Sequence, residues 1–184
     1  MLGEAEARCR WARYDRRFVT WSVWILGESI VNLETYGAGV LLYRGDHVLL
    51  SKRDGDAPTW AHYWNFFGGH SDAADGGDPF VTAMREVREE IQGVDFTSLV
   101  PELLACIRVN FQGEVFMSHY FKAEVNQPLS DLKLGDEGNG LAEFTVEEID
   151  RLAVTSQHRL VLDIHFGRFP AELLATCPVH TAVC

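Results

Sequence analysis

The sequence predicts an α/β domain, with a mixed sheet covered by helices. Paired β-rich runs, one strongly amphipathic helical segment and an excess of strands over helices carry that expectation. The 184 residues, 47% of them hydrophobic, are enough to bury a sizeable core in one domain.

The elements follow in chain order. Residues 1–35 are rich in Trp and Arg, among them Trp11, Arg13, Arg16, Trp21 and Trp24. They read as an N-terminal extension packed on the domain, with a dimer contact or a wall of the substrate cleft as the other uses. Tyr36 to Tyr43 reads as a strand, Arg44-Gly45-Asp46 as a turn, and His47 to Ser51 as the hairpin partner. Trp64 to Phe67 reads as a short strand entering the pair Gly68-Gly69. A glycine pair allows positive φ and a close approach to a ligand.

Asp78-Pro79 opens a helix, since Asp is a favoured N-cap and Pro is tolerated at the first helical position. Phe80, Ala83, Met84, Val87 and Ile91 recur at helical spacing and predict its buried stripe. Gly93 is placed to cap its C-terminus. Leu103–Phe111 and Val115–Val125 flank Gln112-Gly113 as a second hairpin. Thr145 and Glu148 form a capping-box pattern, and a last helix runs from about Ser156 to His165.

The first helix carries the chemistry. Glu86, Glu89 and Glu90 stand at i, i+3 and i+4, so a helix projects all three within about one turn. Like charges at that spacing repel, and a cation among them removes the conflict. Oxygen-only ligands suit a hard divalent ion such as Mg2+ or Mn2+. The bland alternative, a solvated acidic face, weakens once Gly68-Gly69 is placed directly upstream.

These residues resemble the Nudix hydrolase family. Its box runs Gly, five residues, Glu, seven residues, then Arg-Glu-apolar-any-Glu-Glu-any-Gly-apolar. Gly69 matches the first Gly, and Arg85-Glu86-Val87-Arg88-Glu89-Glu90 matches the central part residue for residue. The loop between them is two residues longer than the pattern, and the family's first Glu falls on Gly77, with Asp75 and Asp78 as alternatives. The closing Gly comes one residue late, at Gly93.

The resemblance covers about residues 36 to 166 and leaves 167–184 as a C-terminal tail. It implies an α/β/α sandwich and hydrolysis of a pyrophosphate bond in a nucleoside diphosphate derivative by water attack on phosphorus. It implies Mg2+ or Mn2+ held by Glu86, Glu89, Glu90 and the Gly69 carbonyl, with Glu137 of Gly135-Asp136-Glu137-Gly138 as a further ligand or base. Glu86, Glu89 and Arg85 are the expected catalytic residues, with Arg85 orienting the carboxylates. Trp60, Tyr63, Arg53 and His70 are the candidate substrate contacts; core packing and solvated surface are the competing readings for them. Gly77 in place of Glu favours an alternative, a weakened domain that binds a nucleotide or nucleotide sugar as a sensor. A protein-interaction domain using the N-terminal aromatics is a third reading. An isoprenoid diphosphate isomerase fits less well, because no Cys lies near the box.

The formal net charge of −11 argues against coating a nucleic acid. Phe18–Leu33 is too polar to span a membrane, and Glu4 and Glu6 make a poor signal peptide. Cys9, Cys106, Cys177 and Cys184 lack metal-site spacing and suggest a reduced, cytoplasmic chain. A small-molecule substrate and a possible homodimer complete the expectations.

Overall fold

The structure is a computed structural model and describes residues 36–111 and 114–169. The expected N-terminal extension and most of the C-terminal tail lie outside the described residues. The strands are β1 (Tyr36–Arg44), β2 (His47–Lys52), β3 (Trp64–Asn65), β4 (Phe67–His70), β5 (Ile91–Gln92), β6 (Glu102–Phe111), β7 (Glu114–Glu124), β8 (Lys133–Leu134) and β9 (Gly140–Phe144). The helices are α1 (Pro79–Glu90), α2 (Val146–Ile149) and α3 (Ser156–His165).

Seven strands form one mixed sheet: β1 runs parallel to β7 and antiparallel to β2 and β4. Alternation along β1 sorts the core into two layers. Val40 and Leu42 join Ala83, Met84 and Val87 of α1, whereas Leu41 joins Ile149 of α2 and Leu160 to Leu162 of α3. The result is the expected α/β/α sandwich. Truncating Val87 or Leu162, both fully buried, to Ala leaves a cavity in one layer and costs on the order of 2–4 kcal/mol.

One feature of the sheet positions the site. The strands β1 and β2 pair from Leu42 to Arg44 and then diverge. The segment 64–70 enters between them, with Trp64–Asn65 on β2 and Phe67–His70 on β1. Asn65 therefore sits at the base of the fork, and Gly68 to His70 sit along its upper edge.

Three expectations are corrected. Gly68 and Gly69 do not adopt positive φ; they lie in β4, opposite Gly39 and Ala38. Glycine is required there for space, because a Cβ on Gly68 would collide with the Ala38 carbonyl. Gly93 does not cap α1, because the chain turns extended at Ile91 and β5 pairs with β8. At φ +89°, Gly93 instead turns the chain against the Asp131 carbonyl, where no Cβ fits. Phe80 is not core: it is 42% exposed and its ring packs edge-on against Phe121.

Candidate active site

The local sequence of α1 explains its start and its direction. The Asp78 carboxylate accepts from the Phe80 N–H at 2.8 Å, and Pro79 occupies the first turn. The face bearing Ala83, Met84 and Val87 is buried on the sheet, which turns Glu86, Glu89 and Glu90 toward the edge of β4. Gly69 faces Glu86 directly: a Cβ there would stand 2.6–2.7 Å from the carboxylate. That glycine makes room for a carboxylate against the main chain.

Arg85 orders this cluster. Its Nη1 donates to Glu86 Oε1 at 2.8 Å and to Glu89 Oε2 at 3.0 Å. Its Nη2 donates to the His70 carbonyl at 3.0 Å. The remaining donors form a fork on Asp75, with Nε to Oδ1 at 3.0 Å and Nη2 to Oδ2 at 3.1 Å. Asp75 also accepts from the Thr82 hydroxyl at 2.8 Å and from the Asp72 N–H at 2.8 Å. The Arg85 guanidinium holds the Asp75 carboxyl well below the usual range, and Asp75 raises Arg85 in turn.

This geometry separates Asp75 from Asp78, the two candidates for the carboxylate that position 77 lacks. Gly77 has φ +79°, and a Cβ on it would meet nothing within 4 Å; Asp78 is engaged as the helix cap. The lengthened loop winds a turn of 3-10 helix, Ala73–Asp75, with reciprocal Asp72 and Asp75 capping bonds. That turn delivers Asp75, whose side chain is 2% exposed, to Arg85.

The deeper carboxylate is Glu90. Its Oε2 accepts from the Gly68 N–H at 3.3 Å. Burial, then the charge of Glu86, pushes its carboxyl up to about 8. Glu86 is raised too, by burial, against the opposing pull of Arg85. The charge of Glu137 acts on both. The turn that carries it is fastened to the end of α1: Gly135 N–H donates to the Glu90 carbonyl at 2.8 Å, and Gly138 N–H to Asp54 Oδ2 at 3.0 Å.

A cleft of about 630 Å³ is lined by Glu90 and Glu137 together with Gly37, Gly39 and Gly68. Arg53, Trp60 and His70 line it, and Arg53 is its only Lys or Arg among the described residues. The Arg53 Nε is fixed by the Thr59 carbonyl at 3.1 Å. Trp60 and His62 both hold positive φ, at 57° and 64°. Tyr63 departs from expectation: it does not line the cleft but packs edge-on against Trp60, with centroids 5.4 Å apart. Its carbonyl accepts from the Arg53 N–H at 2.9 Å and closes the loop.

The donor set fits a hard divalent cation. It consists of carboxylate oxygens at a glycine-made gap, two of them destabilised as anions by burial and by each other. Among the described residues no three acidic, His or Cys side chains already stand at ligand spacing, since Arg85 engages Glu86 and Glu89. To hold an ion, those glutamates would have to turn from Arg85 toward it.

A family model for the NUDIX domain matches residues 33–163. The chain belongs to the Nudix family. No curated protein matches the sequence. Solved Nudix structures share the fold at low identity. An Ap4A hydrolase from C. elegans has a TM-score of 0.59 and 23% identity, over 75% of this chain and 98% of that one. The MutT protein of Methanosarcina mazei Go1 has a TM-score of 0.60 and 18% identity, over 73% of this chain and 95% of that one. A Nudix hydrolase from Nitrosomonas europaea has a TM-score of 0.58 and 20% identity, over 73% and 89%.

Within the Nudix box, Arg85, Glu86, Glu89, Glu90 and Gly69 come together as the sequence suggests, and Glu137 joins them. Sequence reasoning does not identify Asn65, Ser118, Tyr120 or His158, which also line the cleft. No local spacing links them, so no sequence pattern marks them.

Proposed function

We propose that this Nudix protein is a divalent-cation-dependent hydrolase that cleaves a phosphoanhydride bond in a nucleoside diphosphate derivative. The observation that carries the reading is the carboxylate cluster at the cleft mouth, where burial and mutual charge disfavour the anions of Glu86 and Glu90. Glu86, Glu89, Glu90, Glu137 and the Gly69 carbonyl are the groups that would hold Mg2+ or Mn2+. Such an ion, when bound, offsets phosphoryl charge and acidifies water.

The chain's own residues supply the rest. Asp75 fixes Arg85, and Arg85 bonds Glu86 and Glu89, so their charge is offset without a cation. Arg53 offers the remaining guanidinium donors to an anionic group in the cleft. Trp60, 41% exposed on the wall, offers a flat apolar face. Water attacks phosphorus, the bridging oxygen departs with the electron pair of the broken P–O bond, and a carboxylate of the mouth takes the water proton.

The feature that favours a sensor is Gly77. With Asp75 bonded to Arg85, Gly77 does not argue for a lost activity. The test is phosphate release from nucleoside di- and triphosphates, nucleotide sugars and dinucleotide polyphosphates, with Mg2+, Mn2+ or EDTA. Turnover that needs the ion and vanishes in Glu89→Gln supports the proposal. Equal turnover by both proteins would sink the mechanism. Nucleotide binding without any turnover would favour the sensor.

A further inference from the structure

Behind the carboxylates, on the face of the sheet that α1 covers, a line of hydroxyls ends on Asp75. Asp75 Oδ2 accepts from the Thr82 hydroxyl at 2.8 Å, and the Thr82 oxygen lies 3.0 Å from the Tyr36 hydroxyl. Thr82 is fully buried near the start of α1, and Tyr36, the first residue of β1, is 8% exposed. The surroundings are apolar: Tyr36 sits in the layer of Ala83, Met84, Met117 and Phe121.

The directions of these bonds follow from the chemistry. The Arg85 guanidinium keeps Asp75 ionised, and a carboxylate only accepts. Thr82 has one hydroxyl proton, and it goes to Asp75; the Asp78 carbonyl, at 3.4 Å, is the weaker second acceptor. The Thr82 oxygen is then the acceptor toward Tyr36, and the Tyr36 hydroxyl is the donor. Tyr36 is held in turn: its carbonyl accepts from the Ser71 N–H at 2.9 Å, and its N–H donates to the Ser71 hydroxyl at 3.3 Å.

Stability does not account for the two hydroxyls. Phe at 36 and Val at 82 would fill the same space with no polar group to desolvate, and replacing both partners of a buried bond by apolar groups of the same shape is close to neutral. What the hydroxyls supply is orientation. The Asp72 N–H holds Asp75 from within its own loop, whereas Thr82 holds it from α1, the helix that carries Arg85, Glu86 and Glu89. That orientation decides how Arg85 uses its donors. With Nε and Nη2 on Asp75, Nη1 is the nitrogen that bonds Glu86 and Glu89. If Asp75 turned away, Nε and Nη2 would be released to compete with a cation for the same glutamates.

We propose that Tyr36 and Thr82 are positioning residues for the carboxylate cluster, holding Asp75 in the orientation that keeps two Arg85 nitrogens off Glu86 and Glu89. They act through Asp75 and touch neither ion nor substrate. The inference rests on the hydrolase reading for the ion that those glutamates would hold; the hold on Arg85 does not.

The experiment compares wild type, Thr82→Val, Thr82→Ser, Tyr36→Phe and the double variant of Tyr36→Phe with Thr82→Val. Hydrogen exchange of the Arg85 Nε–H is read by NMR without metal or substrate, Mn2+ affinity with the ion alone, and the thermal midpoint beside both. Thr82→Val keeps the volume and loses the hydroxyl. Its Arg85 Nε–H should exchange roughly tenfold faster, and its Mn2+ affinity should fall roughly tenfold. Thr82→Ser keeps the hydroxyl and loses a buried methyl, so it should melt below wild type while exchange and affinity stay near wild type. Tyr36→Phe frees the Thr82 proton to turn toward the Asp78 carbonyl and should give a smaller change of the same kind, roughly threefold. The double variant should not exceed Thr82→Val, because both act on one bond. Exchange that simply tracks the fall in thermal midpoint overturns the proposal, as does wild-type exchange in Thr82→Val or Tyr36→Phe. Faster exchange in Thr82→Val with unchanged Mn2+ affinity overturns it too. If Thr82→Val does not fold, Tyr36→Phe decides alone by the same criteria. No Mn2+ binding by wild type overturns the metal-dependent hydrolase reading alone, and the exchange rates still decide the positioning.

Discussion

Two parts of the cleft solve opposite electrostatic problems. At the mouth, Glu86 and Glu89 bond to Arg85, Glu90 and Glu137 add further negative charge, and desolvation raises Glu86 and Glu90. Elsewhere in the cleft, Asn65 and Tyr120 are buried and uncharged, and the half-buried His158 is held neutral. Like charge accumulates at the mouth, whereas the lining at Asn65, Tyr120 and His158 carries none.

The sharpest way to break this contrast is at the mouth. Glu89→Gln should lower metal-dependent turnover by roughly 100-fold or more, read as kcat in a phosphate-release assay. Asp75→Asn removes one charge behind the mouth and weakens the fork on Arg85. A loss of roughly 10- to 100-fold in activity or metal affinity is expected, whereas Asp78→Asn, which keeps a good N-cap, should leave turnover near wild type. If both variants behave alike, Asp75 does not serve the role assigned to it.

Gly69→Ala places a methyl against the Glu86 carboxylate. It should weaken Mn2+ binding roughly tenfold while leaving the His158 imidazole resonances unchanged. A change in both would mean that the two parts are not separable.

The smallest effect concerns His158 and pH. Its folded pKa lies below the unfolded value, so the unfolded chain binds the extra proton between about 6.5 and 3. The stability it contributes is present above pH 6.5 and is lost as pH falls toward 3, at up to about 1.4 kcal/mol per pH unit. Denaturant titrations from about pH 7 to 4 should show this slope in wild type and a shallower one in His158→Phe. Identical slopes would mean that His158 is not buried neutral.

The contrast also explains what is legible in the sequence. The mouth is built mainly from one helical turn, so Arg85, Glu86, Glu89 and Glu90 mark it by their spacing once Gly68-Gly69 stands upstream of them. The hairpin β1–β2, the strand pair β6–β7, the Thr145 capping box and α3 are local too, and each appears where its pattern places it. The strand β9 and the small β5–β8 ladder escape local pattern, because pairing partners far apart in sequence decide them. Gly68 and Gly69 stand out but mislead: turn chemistry and close packing both select glycine, and only the register of β4 on β1 separates them. Asp75 and Asp78 are equivalent candidates until the loop winds its 3-10 turn. The uncharged lining draws on residues from 65 to 158, and no window of sequence contains it.

Mn2+ binding tests the account most directly, by electron paramagnetic resonance of the free ion, with wild type compared against Glu86→Gln and Glu90→Gln. The account predicts a site in wild type whose affinity falls at least roughly tenfold in each variant. Equal affinity in all three proteins, or no binding by wild type, would contradict it.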